Sequence, residues 1–226
     1  MKLRSIKKLI IVGTGLFAEL AYCYFNRYTS YKIEAFACDE KYIKNNLLFD
    51  TQVINIESIE TLFDKKNYHI FIAIGYRDLN KVREKFFKKY EKLGYEFANF
   101  IHPNVDIWDN SKVGKNNFIF ENNVIQPFVK IGDNNIIWSG NHIGHHSIIG
   151  SHNFISSHVV LSGNCKLKNN IFLGVNSTII DNSIVENNVF VDANVLIKNQ
   201  TKENEFYVSK KNLPHKLTTD QLKFLK

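Results

Sequence analysis

The chain has 226 residues, 44% of them hydrophobic and 13% aromatic, with a formal net charge of +7, which is enough to bury a sizeable core and to build two modest domains. No run approaches the ~20 apolar residues of a membrane span, and Cys23, Cys38 and Cys165 form no C-x-x-C pair, so neither a disulfide framework nor a zinc site is suggested. The lysines are scattered and the aromatics sit where strands and helices need them, so the charge argues for small polyanionic ligands rather than nucleic acid.

Residues 1–8 are basic, but the apolar run 9–12 is too short for a signal-peptide core and leads straight into glycines. The expected compartment is the cytoplasm. Residues 9–12 predict a buried strand, followed by a glycine turn and a helix from about Phe17. Gly13, Gly15 and Ala18 match G-x-G-x-x-G/A, which lets a backbone approach a diphosphate at a helix N-terminus. The plain alternative is that these glycines only make tight turns. A second strand, 33–38, ends in Asp39 and Glu40, where an acidic group meets a ribose or base edge. A third, 69–74, ends at Gly75, and a helix carrying Arg77, Lys81 and Arg83 follows. This unit is half of a full dinucleotide-binding domain, which favours a mononucleotide site over NAD. A last strand over 95–100 leads through His102 and Pro103 into the next region without a flexible linker.

From Ile101 to Ile197 every sixth residue is Ile, Val or Leu, giving seventeen hexapeptide units. That period fits a parallel β-helix and neither a helix nor one long strand. Three units close a triangular coil with the aliphatic residues stacked inside. Three places after each aliphatic residue stands a row of mostly Asn, His or Gly, the types that tolerate left-handed backbone at a sharp corner. The next row is mostly small or β-branched, as at Val129, Ser147, Val159, Cys165 and Ser177, and fills space beside the column. The expected domains are 1–100 (Rossmann-like, α/β), 101–200 (β-helix) and a 201–226 tail with a short helix.

His146, His152 and His158 fall in the corner row, where His replaces Asn. His145 lies one place before its corner, and no other hexad carries His there. Histidines six apart sit on successive corners and point in different directions, so these three do not converge on one ion within a chain. No metal site is expected.

A Rossmann-like half followed by a hexapeptide array resembles, over nearly the whole chain, the bacterial nucleotide-sugar acetyltransferases of the bacillosamine, perosamine and sialic-acid O-acetyltransferase type. The resemblance implies a left-handed β-helix, a homotrimer with sites between subunits, acetyl-CoA as co-substrate, and a role in cell-surface glycan biosynthesis. By similarity Thr14, Gly15, Leu16, Asp39, Glu40 and Gly75 contact a nucleotide-linked amino sugar. The family's I-x-H-x-x-x-I-G hexad is matched by I-G-H-H-S-I-I-G at 143–150, which makes His145 the general base of an N-acetyltransferase. The family's acetyl-CoA positions map to Phe154, Gly163, Val175 and Ala193. Two positions depart from the bacillosamine-pathway enzyme: His146 replaces a Glu that raises the basicity of the catalytic ring, and Phe154 replaces a His.

The implied reaction is direct acyl transfer without an acyl-enzyme, since there is no G-x-S-x-G elbow and no Cys beside a His. A neutral His146 accepts a hydrogen bond from His145 and fixes its tautomer. The backbone N–H at or near Gly163 is the candidate oxyanion donor. The competing readings are O-acetylation of a sugar hydroxyl and a non-catalytic trimeric scaffold that binds a nucleotide sugar.

Overall fold

The structure is a computed structural model, and it describes residues 7–210. The N-terminal half is a six-stranded sheet built from β1 (Lys8–Val12), β2 (Lys32–Cys38), β3 (Leu47–Leu48), β4 (Thr51–Asn55), β5 (Tyr68–Ile72) and β6 (Glu96–Phe97). Helices α1 (Leu16–Tyr28), α2 (Ile59–Leu62) and α3 (Lys81–Lys92) flank it. The strand order is β3-β4-β2-β1-β5-β6, with only the β3–β4 hairpin antiparallel. The continuous apolar run of β1 suits a central parallel strand covered on both faces. Leu9 and Ile11 pack with α1 on one side, while Ile10 and Val12 meet Phe87 and Tyr90 of α3 on the other.

Three features depart from expectation. The last strand expected over 95–100 is split: only Glu96–Phe97 joins this sheet, and Phe100–Ile101 opens the next region. The third strand stops at Ile72 and α3 begins at Lys81, which leaves Arg77 on the connecting loop. The β3–β4 hairpin was not foreseen because its turn residues Phe49 and Asp50 adopt φ of 47° and 59° without the Asn-Gly or Asp-Gly pair that usually announces such a turn.

The second half is a parallel β-helix of three stacked sheets. Face I runs from Phe100–Ile101 to Phe206–Tyr207, face II from Asp106–Ile107 to Leu196–Ile197, and face III from Lys112–Val113 to Ile184–Val185. Strands pair with those eighteen residues away, as Ile119 with Ile137 and Ile137 with Ile155. The aliphatic column is buried from Ile119 to Ile197. Ile101 is 37% exposed because no coil lies beneath it. Every corner from Asn116 to Asn194 has positive φ at its third-row residue, including His146, His152 and His158. Beside the column, Asn117, Asn135 and Asn153 form a buried ladder in which each side-chain oxygen accepts the backbone N–H one coil on, at 2.8–2.9 Å. The coil does not stop at residue 200: Phe206–Tyr207 pairs with Phe190–Val191. The short helix expected in the tail lies outside the described residues.

The halves share one core. Phe25 of α1 and Phe71 of β5 pack against Phe100 and Phe118, outward-facing residues of face I. Fully buried Arg83 of α3 donates to the carbonyls of Asn134 and Asn153 on the β-helix at 3.2 and 3.0 Å, and to those of Ile74 and Gly75 at 3.2 and 2.8 Å. Burial pulls its pKa down to about 9, so it stays charged at neutral pH. The loop after β5 is thereby tied to the prism. Among the described residues no helix is long and apolar enough to cross a membrane.

Candidate functional site

The end of β1, the start of α1 and the β2 and β5 termini enclose a cavity of about 780 Å³. Thr14, Gly15, Leu16, Asp39 and Gly75 all line it, and Glu40 shares a shallow surface depression with Asp39 and Lys41. Gly13 has φ 127°, and a Cβ there would lie 2.6 Å from the Ala73 carbonyl oxygen, so this glycine is needed for the fold itself. Gly15 and Gly75 differ: an added Cβ meets nothing within 4 Å at either. Their missing side chains leave room for a ligand rather than for the protein. Gly15 caps α1 without a side-chain hydrogen bond, so the first-turn N–H groups keep no side-chain acceptor and suit an anion.

Sequence reading missed part of this wall. Lys44, Asn45 and Tyr42 line the cavity from the segment before the hairpin, with Leu47, Leu48 and Val53 forming an apolar side. Arg77 joins Lys44 as a second cation on the cavity wall, which suits an anionic ligand. Only the scattered basic residues of the sequence hinted at them. Cys38 also lines the cavity, and burial raises its pKa, which keeps the thiol protonated and unreactive.

His145 stands on the corner between faces II and III. Its backbone N–H donates to Gln126 Oε1 at 2.9 Å, and its exposed ring places Nδ1 3.2 Å from Nδ1 of His146. Only one of two facing Nδ1 atoms can carry the proton, so the contact makes the rings complementary tautomers. The ring crosses Gly163 of the next coil, where a Cβ would lie 2.7 Å from Cε1 and 2.8 Å from Nε2. The Gly163 N–H donates to Asp181 Oδ1 at 2.8 Å. That corrects one expectation: this N–H is already committed and is not free for an oxyanion.

The other expected positions lie elsewhere. Val175 and Ala193 stack on the corner between faces I and II, where the Asn194 N–H donates to the Val175 carbonyl at 2.9 Å. Phe154 faces outward from face I, only 7% exposed, against Tyr76 at 4.9 Å and Phe172 at 5.3 Å. His152 is buried, bonded to Asn134 at 2.8 Å, and belongs to the interdomain contact. Within one chain the structure therefore assembles two groups. The glycine-loop cavity sits on the half that covers face I, and His145, His146 and Gly163 sit on the corner opposite that face.

The fold and these groups define a two-part chain: a PglD N-terminal domain, matched over residues 8–90, followed by bacterial transferase hexapeptide repeats, matched over 110–145 and 128–163. Among solved structures the chain is similar to the acetyltransferase domain of PglB from Neisseria gonorrhoeae in complex with acetyl coenzyme A, at 18% identity and TM-score 0.80, covering 88% of this chain and 95% of that one. It is also similar to PerB from Caulobacter crescentus in complex with CoA and GDP-perosamine, at 20% identity and TM-score 0.79, covering 89% and 94%. WeeI from Acinetobacter baumannii matches at 16% identity and TM-score 0.76, covering 88% and 95%. Comparison with curated proteins gave no match.

Proposed function

We propose that this protein is a nucleotide-sugar N-acetyltransferase, moving the acetyl group of acetyl-CoA onto the amine of a nucleotide-linked amino sugar. The observation that carries the reading is the pairing of two features: a glycine-loop cavity open at Gly15 and Gly75, and the His145 ring laid over Gly163 on the opposite corner of the prism. Solved structures of the same fold are complexes with acetyl coenzyme A, or with CoA and GDP-perosamine, which supports the choice of substrates.

In this reading the diphosphate rests on Thr14, Gly15 and Leu16, with Lys44 and Arg77 balancing its charge and Asp39 and Glu40 on the nucleoside side. His145 donates from Nδ1–H to His146, which leaves Nε2 bare to accept a proton. The sugar amine attacks the thioester carbonyl, His145 takes the amine proton, and the tetrahedral adduct collapses to the amide. The CoA thiolate leaves and receives the proton from His145. A positioned base of this kind contributes ~10²–10⁴-fold.

Because His145 and the cavity lie on opposite sides of one prism, the sugar of one chain must reach His145 of another. A homotrimer meets this need, with Val175 and Ala193 along the pantetheine path, Gly163 beneath His145, and Phe154 backing the cleft beside Tyr76. The three cysteines are free, in keeping with a cytoplasmic enzyme.

The test is a panel of UDP-, dTDP- and GDP-linked amino sugars incubated with acetyl-CoA, reading thiol release and product mass. Amine-dependent thiol release with one added acetyl group is the expected result. Acetylation of a hydroxyl acceptor alone would make it an O-acetyltransferase, and binding without thiol release would make it a scaffold.

A further inference from the structure

Between Asn116 and Asn194 every corner residue with positive φ is Asn, His or Gly except one, Phe128, at φ 66°. An aromatic side chain gains nothing locally from this conformation, whereas Asn hydrogen-bonds to nearby backbone and tolerates it. Burial does not explain the choice either, since Phe128 is 51% exposed. A residue held against its backbone preference with no core to fill points to a function near the strained site.

The neighbour that Phe128 serves is one coil away on the same corner. Its ring centroid lies 4.6 Å from that of His146 at an interplanar angle of 33°, and its backbone N–H is held by Asn110 Oδ1 at 3.1 Å. His146 in turn presents Nδ1 to His145 at 3.2 Å, with the two rings nearly perpendicular at 84°. Without a ring beside it, an exposed imidazole is free to leave that rotamer. Among the described residues no carboxylate hydrogen-bonds His146, whereas the ring of buried His152 is held by the Asn134 amide.

We infer that Phe128 is a positioning residue: its ring packs against His146 and holds it in the rotamer and tautomer that receive the His145 Nδ1–H, at the cost of a strained corner. This rests on the acetyl-transfer reading for its kinetic consequence but not for its structural one. Outer-shell partners that orient metal-ligating histidines change activity by ~10–100-fold when removed, and a loss at the lower end of that scale is expected for Phe128.

The experiment compares full-length wild type with Phe128→Ala, Phe128→Asn and Phe128→Tyr. Side-chain ¹⁵N NMR of the histidines should show a defined Nδ1–H tautomer for His145 and Nε2–H for His146 in wild type and Phe128→Tyr. The Ala and Asn variants should lose that pattern. Their kcat should fall ~10-fold with KM for both substrates unchanged, and Phe128→Tyr should restore it. Phe128→Asn should melt ~2–4 °C above Phe128→Ala, because only Asn relieves the corner. Unchanged tautomers in the Ala and Asn variants would overturn the inference, as would a raised KM for acetyl-CoA at constant kcat, or an Asn variant no more stable than Ala. A wild type that releases no thiol with any amino sugar would sink the acetyl-transfer reading, and the tautomer spectra would still decide the role of Phe128.

Discussion

The His145 imidazole lies across the backbone of Gly163, so close that a Cβ at 163 would come within 2.7 Å of the ring. Gly163 has no positive φ, so alanine suits its backbone, and the obstructed atoms belong to the free end of an exposed side chain. Gly163→Ala should therefore fold normally, with the ring pushed aside. We expect kcat to fall by ~10²-fold, the scale on which a 1 Å misplacement acts, with a melting temperature close to wild type. A variant of full activity would mean that the ring position over Gly163 is not the working one.

Replacing the base itself should cost more. His145→Ala or His145→Asn is expected to lower kcat by ~10²–10⁴-fold while both substrates still bind. His146→Asn keeps a residue suited to the left-handed corner and a side-chain oxygen that can accept from His145, so its loss should be far smaller. Equilibrium binding alongside steady-state kinetics separates the two effects, and near-normal kcat for His145→Asn would remove it from the mechanism.

The glycine loop offers a contrast between two neighbouring glycines. Gly15→Val enters space that the protein leaves open, so stability should hold and KM for the nucleotide sugar should rise, with KM for acetyl-CoA unchanged. Gly13→Ala forces a methyl group onto the Ala73 carbonyl at a φ of 127°, and should destabilise by about 1–3 kcal/mol or more. Thermal melts and the two Michaelis constants check both halves of this prediction, and an equal rise in both constants for Gly15→Val would indicate misfolding.

If each site is shared between chains, two variants impaired in different halves of the site should complement when assayed at low nucleotide-sugar concentration. Unfolding and co-refolding Gly15→Val with His145→Asn should regenerate a fraction of mixed sites that hold an intact cavity and an intact base, restoring part of wild-type activity. Light scattering should report a trimer, and Ala193→Trp should block acetyl-CoA without affecting the nucleotide sugar. A fully active monomer, or no complementation from a mixed trimer, would defeat the shared-site geometry.

Acid should loosen the contact between the halves. Burial lowers the His152 pKa to about 4; Glu84, 3.9 Å away, opposes the shift and Arg83 and Lys88 reinforce it. The unfolded imidazole titrates near ~6.5, so between the two values the unfolded chain binds the extra proton. Stability is complete above about 6.5 and is lost as the pH falls toward about 4, by on the order of 3 kcal/mol. His152→Asn keeps the corner and should flatten the dependence of melting temperature on pH across that window. An unchanged slope would assign the acid sensitivity to other groups.

The hexad period alone determined the β-helix, because only a coil of three six-residue turns buries every sixth residue of so long a run, and the Asn, His and Gly row marked its corners for the same steric reason. Gly13, Gly15 and Gly75 were legible as a strand-to-helix site, since glycine at a turn leaves a local signature. What each glycine is for was not legible: Gly13 clears a backbone carbonyl and Gly15 clears a cavity, a difference set by atoms sixty residues away in β5 and its loop. Lys44 entered the cavity from the segment before a hairpin whose Phe49–Asp50 turn carries no sequence signal, and Arg77 from the loop that replaces the expected start of α3. Tertiary packing also committed the Gly163 N–H to Asp181, one coil away, and placed Phe128 against His146. It decided as well that the cavity and His145 face opposite sides of the prism. Which face the N-terminal half covers depends on the aromatic surface of Phe100, Phe118 and Phe154 and on the buried Arg83, long-range contacts that no local period encodes.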